Sequence, residues 1–99
     1  MITKDAILEN IRSNKSELKT LGVHKLGLFG SYANSTQSEF SDIDFLIEFE
    51  PGMKNYSNFF SVHEFLASLF NKKIDLVTEK AIDDSMFSEI RKYIIYEKL

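Results

Sequence analysis

The chain has no cysteine, no tryptophan, one proline and two histidines in 99 residues. Without cysteine there can be no disulfide scaffold, thiolate zinc site, iron–sulfur cluster or thiol nucleophile. His24 and His63 alone leave too little imidazole for a multi-histidine metal centre. Nothing approaches the run of about eighteen apolar residues that a membrane-spanning helix needs. The opening Met1-Ile2-Thr3-Lys4-Asp5 carries both charge signs where a signal peptide would start its apolar core. These absences point to the cytoplasm. Repeats, low-complexity tracts and Pro-, Gly- or Ser-rich linkers are also missing, so residues 1–99 are expected to form one domain.

What the chain has is carboxylates and aromatics. Fifteen acidic residues against twelve basic ones give a net charge of −3, which argues against binding long nucleic acid by phosphate neutralisation. Nine phenylalanines and four tyrosines lie within a 43% hydrophobic composition, enough apolar material for a thin core without covalent staples. The abundant reactive groups are Asp and Glu.

Periodicity divides the chain into elements. Ile7, Leu8, Ile11, Leu18 and Leu21 recur at helical spacing behind Thr3, predicting a helix over 3–21 that stops at Gly22. Lys25-Leu26-Gly27-Leu28-Phe29 reads as a short buried strand. From Asp42 to Phe49 the alternation puts Ile43, Phe45, Ile47 and Phe49 on one face and Asp42, Asp44, Leu46 and Glu48 on the other. Residues 56–71 return to helical spacing, 73–77 read as a third strand, and 83–97 as a last helix. The expected fold is α/β (α+β): a small mixed three-stranded sheet with helices packed on one side.

The chemistry concentrates in Phe29-Gly30-Ser31-Tyr32-Ala33 and Asp42-Ile43-Asp44. Two aspartates at i and i+2 of a strand share a face about 6.6 Å apart, and they repel unless a cation lies between them. Hard divalent ions such as Mg²⁺ take such oxygen ligands together with substrate phosphates. Two ions about 3.5–4 Å apart would suit in-line phosphoryl displacement. A pair of carboxylates on a solvated strand face would show the same spacing, yet Asp is disfavoured in strands and two of them head the most strand-like segment. Gly30-Ser31 falls where a strand ends, and glycine there lets the backbone and the Ser31 hydroxyl approach a phosphate; it is equally the composition of an ordinary turn. Asp75 interrupts the apolar Ile74-Asp75-Leu76-Val77 and would need a partner if buried. A neighbouring strand carrying Asp42 and Asp44 would let all three converge, with Asp75 helping to deprotonate an attacking hydroxyl.

Gly-Ser, ten residues, Asp-x-Asp within an apolar strand and a later strand Asp together resemble the nucleotidyltransferase superfamily related to DNA polymerase beta. The match is closest to its minimal members, the MNT-type antitoxin partners of HEPN toxins. The segments LGLFGSYANS, SDIDFLIEFEPG and KIDLVTEKAI fall in family order, so the resemblance covers nearly the whole chain. It implies Asp42, Asp44 and Asp75 as catalytic residues and ligands of two Mg²⁺ ions, with Gly30 and Ser31 gripping the triphosphate. It further implies that AMP passes from ATP to a tyrosine hydroxyl of a HEPN-type ribonuclease toxin, releasing pyrophosphate and silencing the toxin. The family often continues Gly-Ser-Tyr-Ala with Arg-Gly, whereas this chain has Asn34-Ser35. A guanidinium able to hold phosphate is thereby lost, which leaves open an antitoxin that neutralises its toxin by binding alone.

The other singled-out residues have structural readings. His63 lies at the edge of the stripe formed by Phe59, Val62, Leu66, Leu69 and Phe70, as a core-edge histidine would; His24 reads as a loop residue and Lys72-Lys73 as a solvated approach to a strand. Phe60, Phe65 and the run Tyr93-Ile94-Ile95-Tyr96 exceed what one packing stripe needs. This surplus is expected to serve a toxin or a second copy of the chain.

Overall fold

The computed structural model describes residues 2–99; Met1, where the segment read against a signal peptide begins, lies outside the described residues. Helix α1 spans Lys4–Ser13, and the Thr3 hydroxyl caps it by accepting from the Ala6 N–H at 3.2 Å. Ile7, Leu8 and Ile11 form its buried stripe. The single helix expected over 3–21 is broken at Asn14, whose side-chain amide donates to the Asn10 carbonyl at 2.8 Å. Such side-chain bonds compete with the helical ladder. A second helix, α2 (Lys15–Thr20), restarts at once and places Leu18 in the core.

Strands β1 (Val23–Phe29), β2 (Ile43–Phe49), β3 (Ile74–Thr78) and β4 (Ile95–Lys98) form one mixed sheet in the order β3-β2-β1-β4. β1 is antiparallel to β2 and to β4, while β2 and β3 run parallel. A parallel pair needs a crossover, and α3 (Tyr56–Phe70) supplies it. The sheet therefore has four strands rather than the three expected. The last helix, α4 (Asp84–Ile90), is half the expected length and buries no residue. The run Ile94-Ile95-Tyr96 is β-branched and aromatic, suited to a pleated surface. Ile95 pairs with Leu28 and Tyr96 with Gly27. A Cβ at Gly27 would collide with the Ile94 and Tyr96 side chains, so glycine is what lets that segment lie down on β1.

The sheet has two unlike faces. Leu26 and Leu28, Ile43, Phe45 and Ile47, and Ile74 and Leu76 turn to the side covered by α1, α2 and α3, where they join Ile7, Ile11, Leu18, Val62, Leu66 and Phe70 in one apolar cluster. Phe45 and Phe70 stack with ring centroids 6.1 Å apart. The opposite face carries Lys25, Gly27, Asp44, Leu46, Glu48, Asp75, Val77 and Tyr96 by strand alternation. Among the described residues no helix is long and apolar enough to cross a membrane.

Leu66 is fully buried between α3 and the sheet. Leu66→Ala should lower the unfolding free energy by about 3 kcal/mol, from lost transfer energy plus the cavity left behind; urea denaturation of the two proteins measures it.

Candidate active site

The turn after β1 is a short 3₁₀ segment, Gly30–Tyr32. Gly30 stands at φ +73°, a conformation that favours glycine, and a Cβ there would run into the Asp44 carboxylate. The backbone at the end of β1 thus lies directly against the first carboxylate of β2, where Phe29 pairs with Asp44. The Gly30 carbonyl accepts from the Ala33 and Asn34 N–H groups at 3.1 and 3.2 Å, and the Ser31 carbonyl from Thr36 at 2.9 Å. Tyr32 anchors the turn, its ring wholly buried and its hydroxyl without a partner among the described residues. Ser31 stays partly exposed beside the glycine.

Asp44 and Asp75 are register partners across the parallel pair β2–β3, so both carboxylates stand side by side on the open face. Burial first, then the Asp75 carboxylate beside it and more weakly the Asp42 charge, push the Asp44 carboxyl up from 3.8 to about 6. Asp75 itself is exposed, because alternation turns it away from the core that takes Ile74 and Leu76. Asp42 lies just ahead of β2, with its carboxylate 3.9 Å from the Lys73 ammonium. The three aspartates are neighbours, with Asp44 between the other two in effect, but only Asp44 and Asp75 are paired by the sheet.

Among the described residues no group of three or more His, Cys, Asp or Glu side chains is placed to hold a metal ion by itself. The donor set still suits a hard cation, because Mg²⁺ is usually held by one or two carboxylates with the remaining positions filled by water and substrate phosphates. An Asp44 carboxylate half-buried beside the Asp75 carboxylate is one half of such a site.

Several residues read as structural have definite roles. Lys73, at the start of β3, faces Asp42, and Lys72 donates to the Glu39 carbonyl at 3.1 Å, tying the loop before β2 to β3. The signal available in sequence was two lysines immediately before a carboxylate-bearing strand. His63 donates from Nε2 to the Ile74 carbonyl at 3.1 Å, a core-edge role as expected. His24 belongs to β1 rather than a loop, with Nδ1 2.8 Å from Glu50 and Nε2 3.6 Å from Glu48. Where the superfamily often has Arg-Gly, the Asn34 side-chain oxygen is occupied by the Thr36 N–H at 3.2 Å and by the Thr36 hydroxyl, while Ser35 sits at φ +63°. The backbone retains a shape that glycine fits best.

A turn thus presses against one of two paired carboxylates on the open face of a mixed sheet. The chain belongs to the nucleotidyltransferase domain family, whose model matches residues 8–98, and it is a nucleotidyltransferase. It is similar to MJ1215 of Methanocaldococcus jannaschii, a candidate protein adenylyltransferase, with 40% identity over 83 residues covering 83% of this chain and 95% of that protein. It is 29% identical to the protein adenylyltransferase MntA of Thermococcus cleftensis over 97 residues, covering 97% of each. The fold matches the structure of a candidate minimal nucleotidyltransferase with a TM-score of 0.79, 21% identity and 95% of both chains covered. It also matches a complex of tri-AMPylated Shewanella oneidensis HEPN toxin with MNT antitoxin, with a TM-score of 0.62, 17% identity and coverage of 91% of this chain and 70% of that one.

Two measurements check this geometry. With a folded-state value near 6 against an ordinary 3.8, Asp44 keeps its proton in the folded protein at pH values where the unfolded chain has lost it. Metal-free protein should therefore lose stability as the pH rises from about 4 to 6. Asp44→Asn should flatten that slope and melt at a higher temperature than the parent at pH 7, with the two converging at pH 4. At the neighbouring turn, Ser35→Gly should raise the unfolding free energy by about 1 kcal/mol, because the left-handed region penalises a Cβ; urea titration at neutral pH measures it.

Proposed function

We propose that this nucleotidyltransferase is an antitoxin of the cytoplasm that moves AMP from ATP to a tyrosine hydroxyl of a HEPN-type ribonuclease toxin, as one domain over residues 1–99. The observation that carries the reading is the pairing of Asp44 with Asp75 across β2–β3, with the Gly30 backbone pressed against Asp44. Support for the acceptor and the nucleotide comes from the relatives: MntA is a protein adenylyltransferase, and the Shewanella toxin bound to its MNT antitoxin carries AMP groups.

In this mechanism the Gly30–Ser31 turn holds the terminal phosphates of ATP through backbone N–H groups and the Ser31 hydroxyl. Asp42, Asp44 and Asp75 would hold Mg²⁺, with two ions bound in the full assembly; when bound they supply neutralisation of the charge that builds on the phosphates. Asp75, the more exposed member of the pair, accepts the phenolic proton of the incoming tyrosine on a carboxylate oxygen. The tyrosine oxygen bonds to the α-phosphorus, the bond from that phosphorus to the bridging oxygen of the β-phosphate breaks, and pyrophosphate leaves. Asp44, held near 6 by burial and by Asp75, is largely ionised at neutral pH and ready for a cation.

A second reading, neutralisation by binding alone, is favoured by one observation. Asn34 stands where a phosphate-holding arginine is common, and its side chain is spent on Thr36.

One experiment separates them. After incubation with Mg²⁺, ATP and the product of the neighbouring gene, expected to be a HEPN-type ribonuclease, mass spectrometry should find AMP on a tyrosine of that product. Asp42→Asn/Asp44→Asn should lower transfer at least 1,000-fold, the scale on which electrostatic groups act in active sites, while the circular dichroism spectrum is unchanged. A neutralised ribonuclease with no adduct decides for binding alone.

A further inference from the structure

The open face of the sheet does not end at the carboxylates. At its far end, where β1 begins and β2 and β3 finish, lies a cavity of about 210 Å³ lined by Lys25, Leu46, Glu48, Glu79, Lys80 and Tyr96, with Lys54 at its rim. Tyr96 lies across Gly27 with the Lys25 ammonium 4.3 Å above its ring. Lys54 also borders a shallow apolar hollow formed with Asn55, Tyr56 and Phe59 at the start of α3. There Tyr56, 84% exposed, stacks on Phe60, 52% exposed, at 6.5 Å between ring centroids. Lys54 borders both the cavity and the hollow, and Tyr56 of the exposed aromatic pair lines the hollow beside it. None of Lys54, Glu79 and Lys80 has an ion-pair partner among the described residues.

The position of this surface is compatible with the geometry of displacement at phosphorus. Attacking and leaving oxygens lie in line, so pyrophosphate held at Gly30–Ser31 requires the acceptor to arrive from the opposite side of the α-phosphate. Gly30 sits at one end of the sheet beside Asp44, and the cavity sits at the other. Glu48 lies four residues beyond Asp44 on β2, about 13 Å along the strand, with Leu46 midway. An extended peptide covers that distance in about four residues.

We propose that the Lys54–Glu79–Lys80–Tyr96 cleft and the Tyr56–Phe60 pair form the docking surface for the polypeptide that carries the acceptor hydroxyl, delivering it along the sheet to Asp75. This rests on the transfer reading above. The lining argues for a polypeptide of mixed charge: Glu48 and Glu79 repel a phosphate backbone, the lysines complement acidic side chains, and the apolar floor with its exposed aromatics is the composition of a protein interface. A contiguous exposed aromatic patch on a small protein marks such a contact.

The test measures affinity, without ATP or Mg²⁺, for the product of the neighbouring gene, expected to be a HEPN-type ribonuclease, using that protein fluorescently labelled. Tyr56→Ala/Phe60→Ala should weaken binding about 30-fold, the effect of removing a buried aromatic anchor, and Lys54→Glu/Lys80→Glu should weaken it about 10-fold. Both double variants should bind ATP within about 2-fold of the parent and keep its melting temperature, since the substituted side chains are exposed. Unchanged ribonuclease affinity in both variants overturns the proposal. So does a loss of ATP affinity, which makes the cleft a nucleoside subsite, a parent dimer that only the variants dissolve, or no binding by the parent. Binding that is lost in the variants while the parent transfers no AMP upholds the docking surface and removes the enzymatic reading. AMP transfer with undiminished variant affinity does the reverse.

Discussion

Asp44 and Asp75 meet because β2 and β3 run parallel in one particular register, and apolar side chains on the other face of the sheet set that register. Ile43 pairs with Ile74 and Phe45 with Leu76, all four buried against the helices. A slip of one residue would turn the whole apolar set of β3 to solvent and drive Asp75 into the core, so the helix-packed face enforces the alignment of the carboxylates it never touches. The His63 bond to the Ile74 carbonyl pins the same place from α3. The cost of holding the Asp44 carboxylate there, raised in proton affinity first by burial and then by the Asp75 charge, is carried by hydrophobic burial elsewhere.

The short reach of the site follows from the same economy. Strand, turn and strand bring a backbone curve and a carboxylate together within about fifteen residues, and Gly30 allows contact that any Cβ would prevent. The cluster occupies one end of the open face, and the rest of that face, from Leu46 and Glu48 to Tyr96, lies apart from it. Lys72 and Lys73 add two restraints, one on the loop before β2 and one beside Asp42.

Much of this was legible locally. Alternation over 42–49, the glycine after β1 and the stripe of α3 each depend on neighbours within a few residues, and the strands and helix formed there are those expected, to within two residues at each end. What was not legible depends on backbone geometry or on partners far along the chain. Asn14, at φ −114° and ψ 23°, interrupts a helix whose apolar spacing runs straight through it. Residues 94–97 fit a helical stripe as well as a strand until Gly27, nearly seventy residues away, offers a flat place for Tyr96. Whether Asp75 was buried in its apolar strand stayed open, because a window of four residues does not say which face meets water.

The parallel pairing of β2 with β3 also orders events in time. β1 and β2 are antiparallel and joined by a local loop, whereas β3 can join only after the crossover through α3 has closed. Closing that longer loop costs entropy before any contact rewards it. Asp44 therefore acquires its neighbour late in folding, and a nascent chain that has not yet released Thr78 from the ribosome has the Gly30 turn but no carboxylate pair. The pairing of the two aspartates is among the last things the fold completes.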